Sequence, residues 1–394
     1  MILEKRIHEI SLMLHEFLPL FSQWDLAVIE GKGIDHEWIN QIQKFSQDQL
    51  IQFDAKRDFS KLDCKKWHET FNKIQKLTSF KSSQRNEIDI KPLGNKKKQH
   101  ELKSLFCLLQ EDHGRNIFDF GGGVGNLAHF LDKELSMNVM VLEQDEKLIE
   151  KGRKKLNKLN SKVCFHEHRV GVDHLDLSLI QVEKNQMAIG LHTCGHFAND
   201  MLRDCVKTKV QKIINFGCCY SKIKDQDYNI SKAADRSLIF NQRALSSATL
   251  GFGPIPTEFF HYRKKIMNYK FSFYHWLFKE TGYLEFCSMS NARRSLYQMP
   301  FDQFVYKNLE KFFPKITHPG SHKLIEFFES DENRKLNKYL ESYYALSRFF
   351  GPLLESYLLC DRALYLQDNG YKVDILEVFD HQISPRNKAI IAYH

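Results

Sequence analysis

Ile117-Phe118-Asp119-Phe120-Gly121-Gly122-Gly123-Val124-Gly125-Asn126-Leu127 joins a short apolar run to an amphipathic one through four glycines. Ile117 to Phe120 reads as a buried strand, and Leu127, Phe130, Leu131 and Leu135 follow at helical spacing. Glycines let the backbone turn sharply and approach a ligand, while the helix start behind them offers free N–H groups at the positive end of a dipole. The stretch therefore predicts a strand, a turn and a helix that cradle something rich in acceptor groups.

On either side the same alternation continues. Asn138 to Leu142, Val163 to His166, Met187 to Leu191 and Lys212 to Phe216 are apolar runs separated by amphipathic helices, which predicts four more parallel strands in βαβ units. The helix after Leu142 gathers Leu148, Ile149, Leu156 and Leu159 on one side and Lys147, Lys151, Arg153, Lys154, Lys155 and Lys158 on the others. That basic set is either a solvated face or a phosphate-contacting one. The chain closes with a helix ending at Asn369-Gly370, a strand around Val373 to Val378, a Ser384-Pro385-Arg386-Asn387 turn and a strand from Ala389 to Tyr393. A hairpin after five parallel strands predicts an α/β, Rossmann-like, seven-stranded methyltransferase sheet, whose antiparallel last strand inserts beside the sixth. Residues 94–220 form the first part of that core and residues 369–394 complete it.

Residues 1–93 read as a helical N-terminal domain, with Leu3, Ile7, Ile10, Leu14, Phe17 and Phe21 on one face until Pro19 bends or ends the helix. Ser79 to Lys98, punctuated by Pro92-Leu93-Gly94, reads as a linker or exposed loop. Residues 221–368 read as a helical insertion after the fifth strand. Its aromatics Phe259, Phe260, Tyr269, Phe271, Phe273, Tyr274 and Trp276 are expected to form an apolar core.

Composition sets the outer limits. With 394 residues, 42% of them apolar and 27% charged, the chain is neither disordered nor a disulfide miniprotein. Lys and Arg total 57 against 49 Asp and Glu, a net charge of +8 that suits a polyanionic partner without demanding one. Nine scattered cysteines with no CxxC pair read as thiols in a reducing compartment. The N-terminus lacks the apolar core of a secretory signal, and the most apolar stretch, Phe349 to Leu359, is broken by Pro352 and Glu355. A cytoplasmic protein with no membrane partner is expected.

Gly123-Val124-Gly125-Asn126-Leu127-Ala128 fits the GxGxxA form of the nicotinamide fingerprint, but in that fold the first glycine comes directly off the strand. Here the strand ends in Asp119 and the spacing is DxGxGxG, the pattern of S-adenosylmethionine methyltransferases. Glu143 stands 18 residues past Gly125, at the end of the second strand, where a carboxylate accepts both hydroxyls of a ribose. A second constellation lies at the ends of the fourth and fifth strands: His192-Thr193-Cys194-Gly195-His196 and Gly217-Cys218-Cys219-Tyr220.

Four readings of it stay open. A thiolate at Cys194 or Cys218 adds to a pyrimidine base, although the Pro-Cys of that chemistry is absent. Alternatively, His192, Cys194, Cys218 and Cys219 hold zinc, against which stands the rarity of adjacent cysteines sharing one tetrahedral ion, so no metal is expected. In the third reading His192 acts as general base toward a hydroxyl or amide, a role that suits an imidazole. In the last, the cysteines only pack. The Asn/Asp-Pro-Pro-aromatic motif of exocyclic amine methylation is missing.

Gly190 to Gly195, Gly217 to Tyr220, Leu358 to Leu366, Phe379-Asp380 with Ser384 to Asn387, and Lys97-Lys98-Gln99-His100-Glu101 resemble the methyltransferase-like protein 25 family. Its relatives, the ribosomal RNA adenine dimethylase domain-containing proteins, share the pattern. The resemblance covers about residues 94 to 394 and implies a Rossmann-like methyltransferase domain with S-adenosyl-L-methionine as cofactor. Asp119, Gly121, Gly123, Gly125 and Glu143 fall on its binding positions. Lys98, His100, Gly122, Asn126, Gln144 and His192 are further cofactor candidates, and His192, Cys194, Cys218, Cys219 and Tyr220 are the candidates for chemistry. His196 departs from the family's Asp after Cys-Gly. A weaker similarity of the His-x-Cys-Gly and Cys-Cys elements to tRNA 2′-O-methyltransferases of the Trm-thirteen type, without their zinc-finger segments, favours RNA as acceptor, at a ribose 2′-hydroxyl or a base. A protein side chain is the competing acceptor, and a non-catalytic RNA- or partner-binding scaffold is the alternative to an enzyme. The resemblance does not extend to residues 1–93.

Overall fold

The computed structural model describes residues 2–23, 25–59, 65–83, 90, 94–173, 186–224, 226–249, 254–283 and 294–394. The chain divides into two compact units, one of residues 1–16, 71–253 and 351–394, the other of residues 17–70 and 254–350. These units cut across the boundaries expected at 93, 220 and 368.

The first unit is built on one sheet: β1 (Lys81–Ser82), β2 (Asn116–Phe120), β3 (Asn138–Glu143), β4 (Cys164–Glu167), β5 (Gln186–Cys194), β6 (Lys212–Cys218), β7 (Lys372–Glu377) and β8 (Lys388–Tyr393). Their order is β1-β7-β8-β6-β5-β2-β3-β4. Only β8 runs antiparallel to its neighbours, inserted between β6 and β7 as the closing hairpin required. The direction of strand progression reverses between β2 and β5, and in open α/β sheets such a switch opens a ligand crevice at the strands' carboxyl ends. β2 and β6 are buried at every residue, as continuous apolar runs covered on both faces should be.

Seven strands were expected and eight are present among the described residues. The extra one, β1, pairs parallel to β7 at the sheet edge, within the stretch expected to be a linker or exposed loop. A strand of two residues has no periodicity to show; its backbone pairing, continued by Ser83 N–H to Glu377 O at 2.9 Å, places it. The linker expected over 79–98 is likewise shortened. Helix Lys96–Leu109 starts inside it, capped by Asn95 Oδ1, which accepts from Lys98 N–H at 3.0 Å. Residues 84–89 and 91–93 of that stretch, with Pro92-Leu93, lie outside the described residues.

Leu127, Phe130, Leu131 and Leu135 pack with Ile117, Val139, Ile189 and Ile214 in the core of this unit. Each fully buried side chain of this kind contributes about 1.5–3 kcal/mol. Ile149 and Leu156 of helix Glu146–Asn157 join them, whereas Leu159 lies past the helix end and is exposed. The second unit has its own aromatic core, in which Tyr269, Phe271, Phe273, Tyr274 and Trp276 of helix Thr257–Thr281 are buried and Phe259 is exposed. Helix Leu3–Phe17 stops just before Pro19, and helix Asp331–Asp368 takes Pro352 into its interior. No helix among the described residues is long and apolar enough to cross a membrane.

Candidate functional site

Asp119, the penultimate residue of β2, is 1% exposed. Burial pushes its carboxyl up; the Lys98 ammonium pulls it down and Glu143 pushes it up again, leaving it at about 7. Its Oδ2 is buried with no hydrogen-bond partner among the described residues. Gly122 rides directly over this oxygen: a Cβ there would lie 2.5 Å from it. Gly121, Gly123 and Gly125 hold φ of 68°, 59° and 73°, the left-handed region that favours glycine. A Cβ on Gly123 would meet nothing within 4 Å, so this part of the turn faces open space.

Glu143 closes β3 and binds back onto the turn. Its Oε2 accepts from Gly123 N–H at 3.0 Å, and its Oε1 from the N–H groups of Gln144 and Asp145 at 2.9 and 3.1 Å. Three of roughly four acceptor positions are thus used. The Gln144 side chain is exposed beside it, and Asn126 Oδ1 accepts from the Lys155 ammonium at the start of helix Asn126–Leu135. Lys98 is half-buried, and desolvation draws its pKa down despite Glu101 and Asp119 nearby. These residues fit S-adenosyl-L-methionine: a buried carboxylate oxygen without a donor suits its ammonium, Glu143 its ribose, and the glycine turn leaves the backbone bare where a ligand approaches. His100 is placed otherwise. Its Nε2 accepts from Asp380 N–H at 2.8 Å, which ties helix Lys96–Leu109 to the loop after β7.

The second cluster is built by a bulge. β5 pairs Gly190 with Asn215 and then Thr193 with Gly217, so β5 carries one extra residue. His192 sits in this bulge with φ 64°, unusual for a residue with a Cβ. Thr193 pins the bulge, donating to Phe216 O at 3.1 Å and accepting from Asn215 Nδ2 at 3.1 Å. His192 Nε2 lies 2.9 Å from Glu101 Oε1. Glu101 itself is 2% exposed and also accepts from Ser384 Oγ at 2.7 Å, with Lys97 Nζ at 3.4 Å. Burial pushes the Glu101 carboxyl up, but the hydrogen bonds from His192 and Ser384 outweigh it and hold the group at about 2. An ionised Glu101 has no proton to give, so His192 Nε2 donates and Nδ1 is left as an acceptor.

Beside the bulge, Cys194 Sγ is 3.3 Å from Cys218 Sγ across the β5–β6 pair, and the sulfurs of Cys194, Cys218 and Cys219 all lie within 4.8 Å of one another. The Cys218 thiol holds the Cys194 thiol down at about 5, against burial, and is itself pushed up by that bond and by burial. Tyr220 is not at the surface: it is 1% exposed, burial pushes its phenol up, and the Arg362 guanidinium lies 5.4 Å from its ring centroid. His196 Nδ1 donates to Lys222 O at 3.0 Å. Gly195 is needed there, since a Cβ on it would come within 2.5 Å of the Lys222 backbone.

Two residues of this region escaped the sequence reading of function. Glu101 stands at the end of the Lys-Lys-x-His-Glu element, whose acid was the available signal. Arg362 is 2% exposed, with Nε donating to Asn199 Oδ1 at 2.7 Å and Nη2 to Gly195 O at 3.1 Å. Only its place in the Leu358 to Leu366 island pointed to it.

Residues 96–226 match a family described as a methyltransferase domain. A probable methyltransferase-like protein 25 from Mus musculus is 26% identical over 239 residues, 54% of this chain and 38% of that protein. Its Homo sapiens counterpart is 23% identical over 230 residues, 52% of this chain and 36% of that protein. The matched region thus spans well under half the length of these relatives. Among solved structures, a SAM dependent methyltransferase from Aquifex aeolicus is similar with a TM-score of 0.22 and 14% identity, over 44% of this chain and 72% of that one.

Proposed function

We propose that this chain, which carries a class I methyltransferase domain dependent on S-adenosyl-L-methionine, methylates RNA in the cytoplasm. The observation that carries the RNA reading is a cationic helix beginning three residues past Glu143. On helix Glu146–Asn157, Lys147, Lys151 and Lys154 are exposed, and Lys154, Lys155, Lys158 and Leu159 line an open groove of about 460 Å³. Cations presented to solvent beside a cofactor turn suit a phosphate backbone.

When bound, S-adenosyl-L-methionine would supply an electrophilic methyl group on a sulfonium, whose leaving group is the neutral thioether S-adenosylhomocysteine. Asp119 would hold the ammonium, Glu143 a ribose hydroxyl through its remaining acceptor position, and the Gly121 to Gly125 backbone the space between them. Positioning does most of the work in such a transfer. If the acceptor is a hydroxyl, His192 Nδ1 would take its proton, and Glu101, bonded to Nε2–H, would stabilise the resulting imidazolium.

The test is incubation of the full chain with radiolabelled cofactor and with fractionated RNA and protein from the source cell. Label entering RNA supports the reading. Label entering protein alone replaces it with a protein methyltransferase, and firm S-adenosylhomocysteine binding without transfer to either replaces it with a scaffold.

A further inference from the structure

We propose that Cys194, Cys218 and Cys219 form a three-thiolate site for a thiophilic d¹⁰ metal ion, zinc(II), with one coordination position left open. Adjacent cysteines count against such a site as long as the chain is extended, because successive side chains of a strand point to opposite faces. Cys219 removes that objection. It leaves β6 with φ 49° and ψ 48°, a left-handed conformation that turns its side chain back toward that of Cys218. A residue with a Cβ pays about 1–2 kcal/mol for that conformation, and such strain gathers where function requires it. The resulting sulfurs, all within 4.8 Å of one another, bracket the roughly 3.8–4.0 Å that Zn–S bonds of about 2.3 Å impose on neighbouring thiolates. Cys194 and Cys218, at 3.3 Å, need only part by a few tenths of an ångström.

An independent observation concerns charge. Arg362 is 2% exposed, makes no ion pair among the described residues, and has a buried Nη1 without a hydrogen-bond partner there. Asp361, Asp227 and the Tyr220 ring offset part of its charge without pairing with it directly, and a buried cation is costly unless further compensated. This Nη1 would lie 2.4 Å from a Cβ on Gly217, the residue immediately before Cys218. Zinc(II) with three thiolates carries a net charge of −1, the sign that complements Arg362. Copper(I) with the same ligands would carry −2. Binding releases to solvent whatever thiol protons the three cysteines still carry and involves no redox step. The ion would join the end of β5, next to the His192 bulge, to the end of β6.

The full chain, reduced and stripped with a chelator, is titrated with cobalt(II) as a spectroscopic stand-in. The expected result is one ion per chain, a thiolate-to-cobalt charge-transfer band, and its bleaching by one equivalent of zinc. Cys194→Ser and Cys219→Ser should each weaken uptake at least roughly tenfold, the least that even outer-shell changes cost. Cys164→Ser, at an exposed cysteine elsewhere, should not. Should the serine variants fail to fold, alkylation of the unaltered chain still decides: zinc must protect Cys194 and Cys219. The proposal is overturned by absence of uptake in the reduced chain, by uptake unchanged in Cys219→Ser, by alkylation that zinc does not slow, or by uptake of copper(I) but not zinc.

Discussion

A carboxyl group lifted to about 7 by burial, as at Asp119, makes stability and binding depend on pH in opposite senses. In the unfolded chain an aspartate titrates near 3.9, so between about 4 and 7 the folded state holds a proton that the unfolded state does not. The stability this provides is complete below about pH 4 and is lost as pH rises through 7. Asp119→Asn, which keeps the shape without the charge, should raise stability by about 1.5 kcal/mol at pH 5 and by up to about 4 kcal/mol at pH 8. S-adenosylhomocysteine affinity should move the other way. It should rise with pH through 7 in the native chain, as the carboxylate becomes available to an ammonium, and fall sharply in the variant. Thermal unfolding at the two pH values, with calorimetry alongside, checks both halves; a variant less stable at pH 8 refutes the assignment. Glu143→Ala removes the proposed ribose contact together with its bonds to Gly123 N–H of the turn and to Gln144 and Asp145 N–H after β3, and should weaken S-adenosylhomocysteine by about tenfold or more, roughly 1.5–3 kcal/mol. Gly123 separates strain from bulk. Alanine and arginine there carry the same backbone penalty, about 1–2 kcal/mol, but only arginine fills the open space, so only Gly123→Arg should abolish binding.

Helix Lys96–Leu109, the bulge of β5 and the turn between β7 and β8 meet at one buried carboxylate, Glu101. Its depressed pKa stabilises the fold above the unfolded value of about 4.3, and that stability is lost as pH falls toward 2. Glu101→Gln should therefore cost about 1–3 kcal/mol at pH 7, with the deficit closing between about pH 4 and 2 in denaturation curves. His192→Ala should lower turnover by about 10²–10⁴ while S-adenosylhomocysteine affinity stays. Full turnover would leave positioning alone as the mechanism. The strands on which these residues sit were largely legible, because β2, β3 and β6 are apolar runs bounded by turn residues and their period survives in the sequence. The last three residues of β5 were not. A run expected to stop at Leu191 continues through His192 to Cys194, since a bulge held by Thr193 and Asn215 leaves no mark in residue periodicity. Glu101 was read as part of a motif and not as a partner of His192, because a sequence separation of 91 is closed only by tertiary structure. The same holds for Arg362, a charge that hydropathy alone would have placed in water.

Over the whole molecule the net charge is only +8, too small by itself to name a partner, so its distribution matters more than its total. Helix Glu146–Asn157 concentrates it. Ile149 and Leu156 bury one side, and the remaining sides present Lys147, Lys151 and Lys154, followed by Lys158 just past the helix end. Not all of the basic set is available: Arg153 donates to Phe165 O at 3.0 Å and Lys155 to Asn126, contacts that hold the helix to the fold. Lys154 is 3.9 Å from Glu150, an exposed pair worth at most about 1 kcal/mol and easily exchanged for a phosphate. Four available cations on a single strand of RNA should release counterions with a slope of about −0.7 each, so the logarithm of affinity should fall against the logarithm of salt with a slope near −3. Lys154→Glu with Lys158→Glu should flatten that slope by at least about 1.4 and weaken RNA at low salt, while S-adenosylhomocysteine affinity is unmoved. The helix fold should survive, because neither side chain is buried. Binding isotherms between about 50 and 200 mM salt make the measurement. A slope near zero in the native chain, or one that the two glutamates leave unchanged, removes this helix from the acceptor surface and turns the assignment toward a protein substrate.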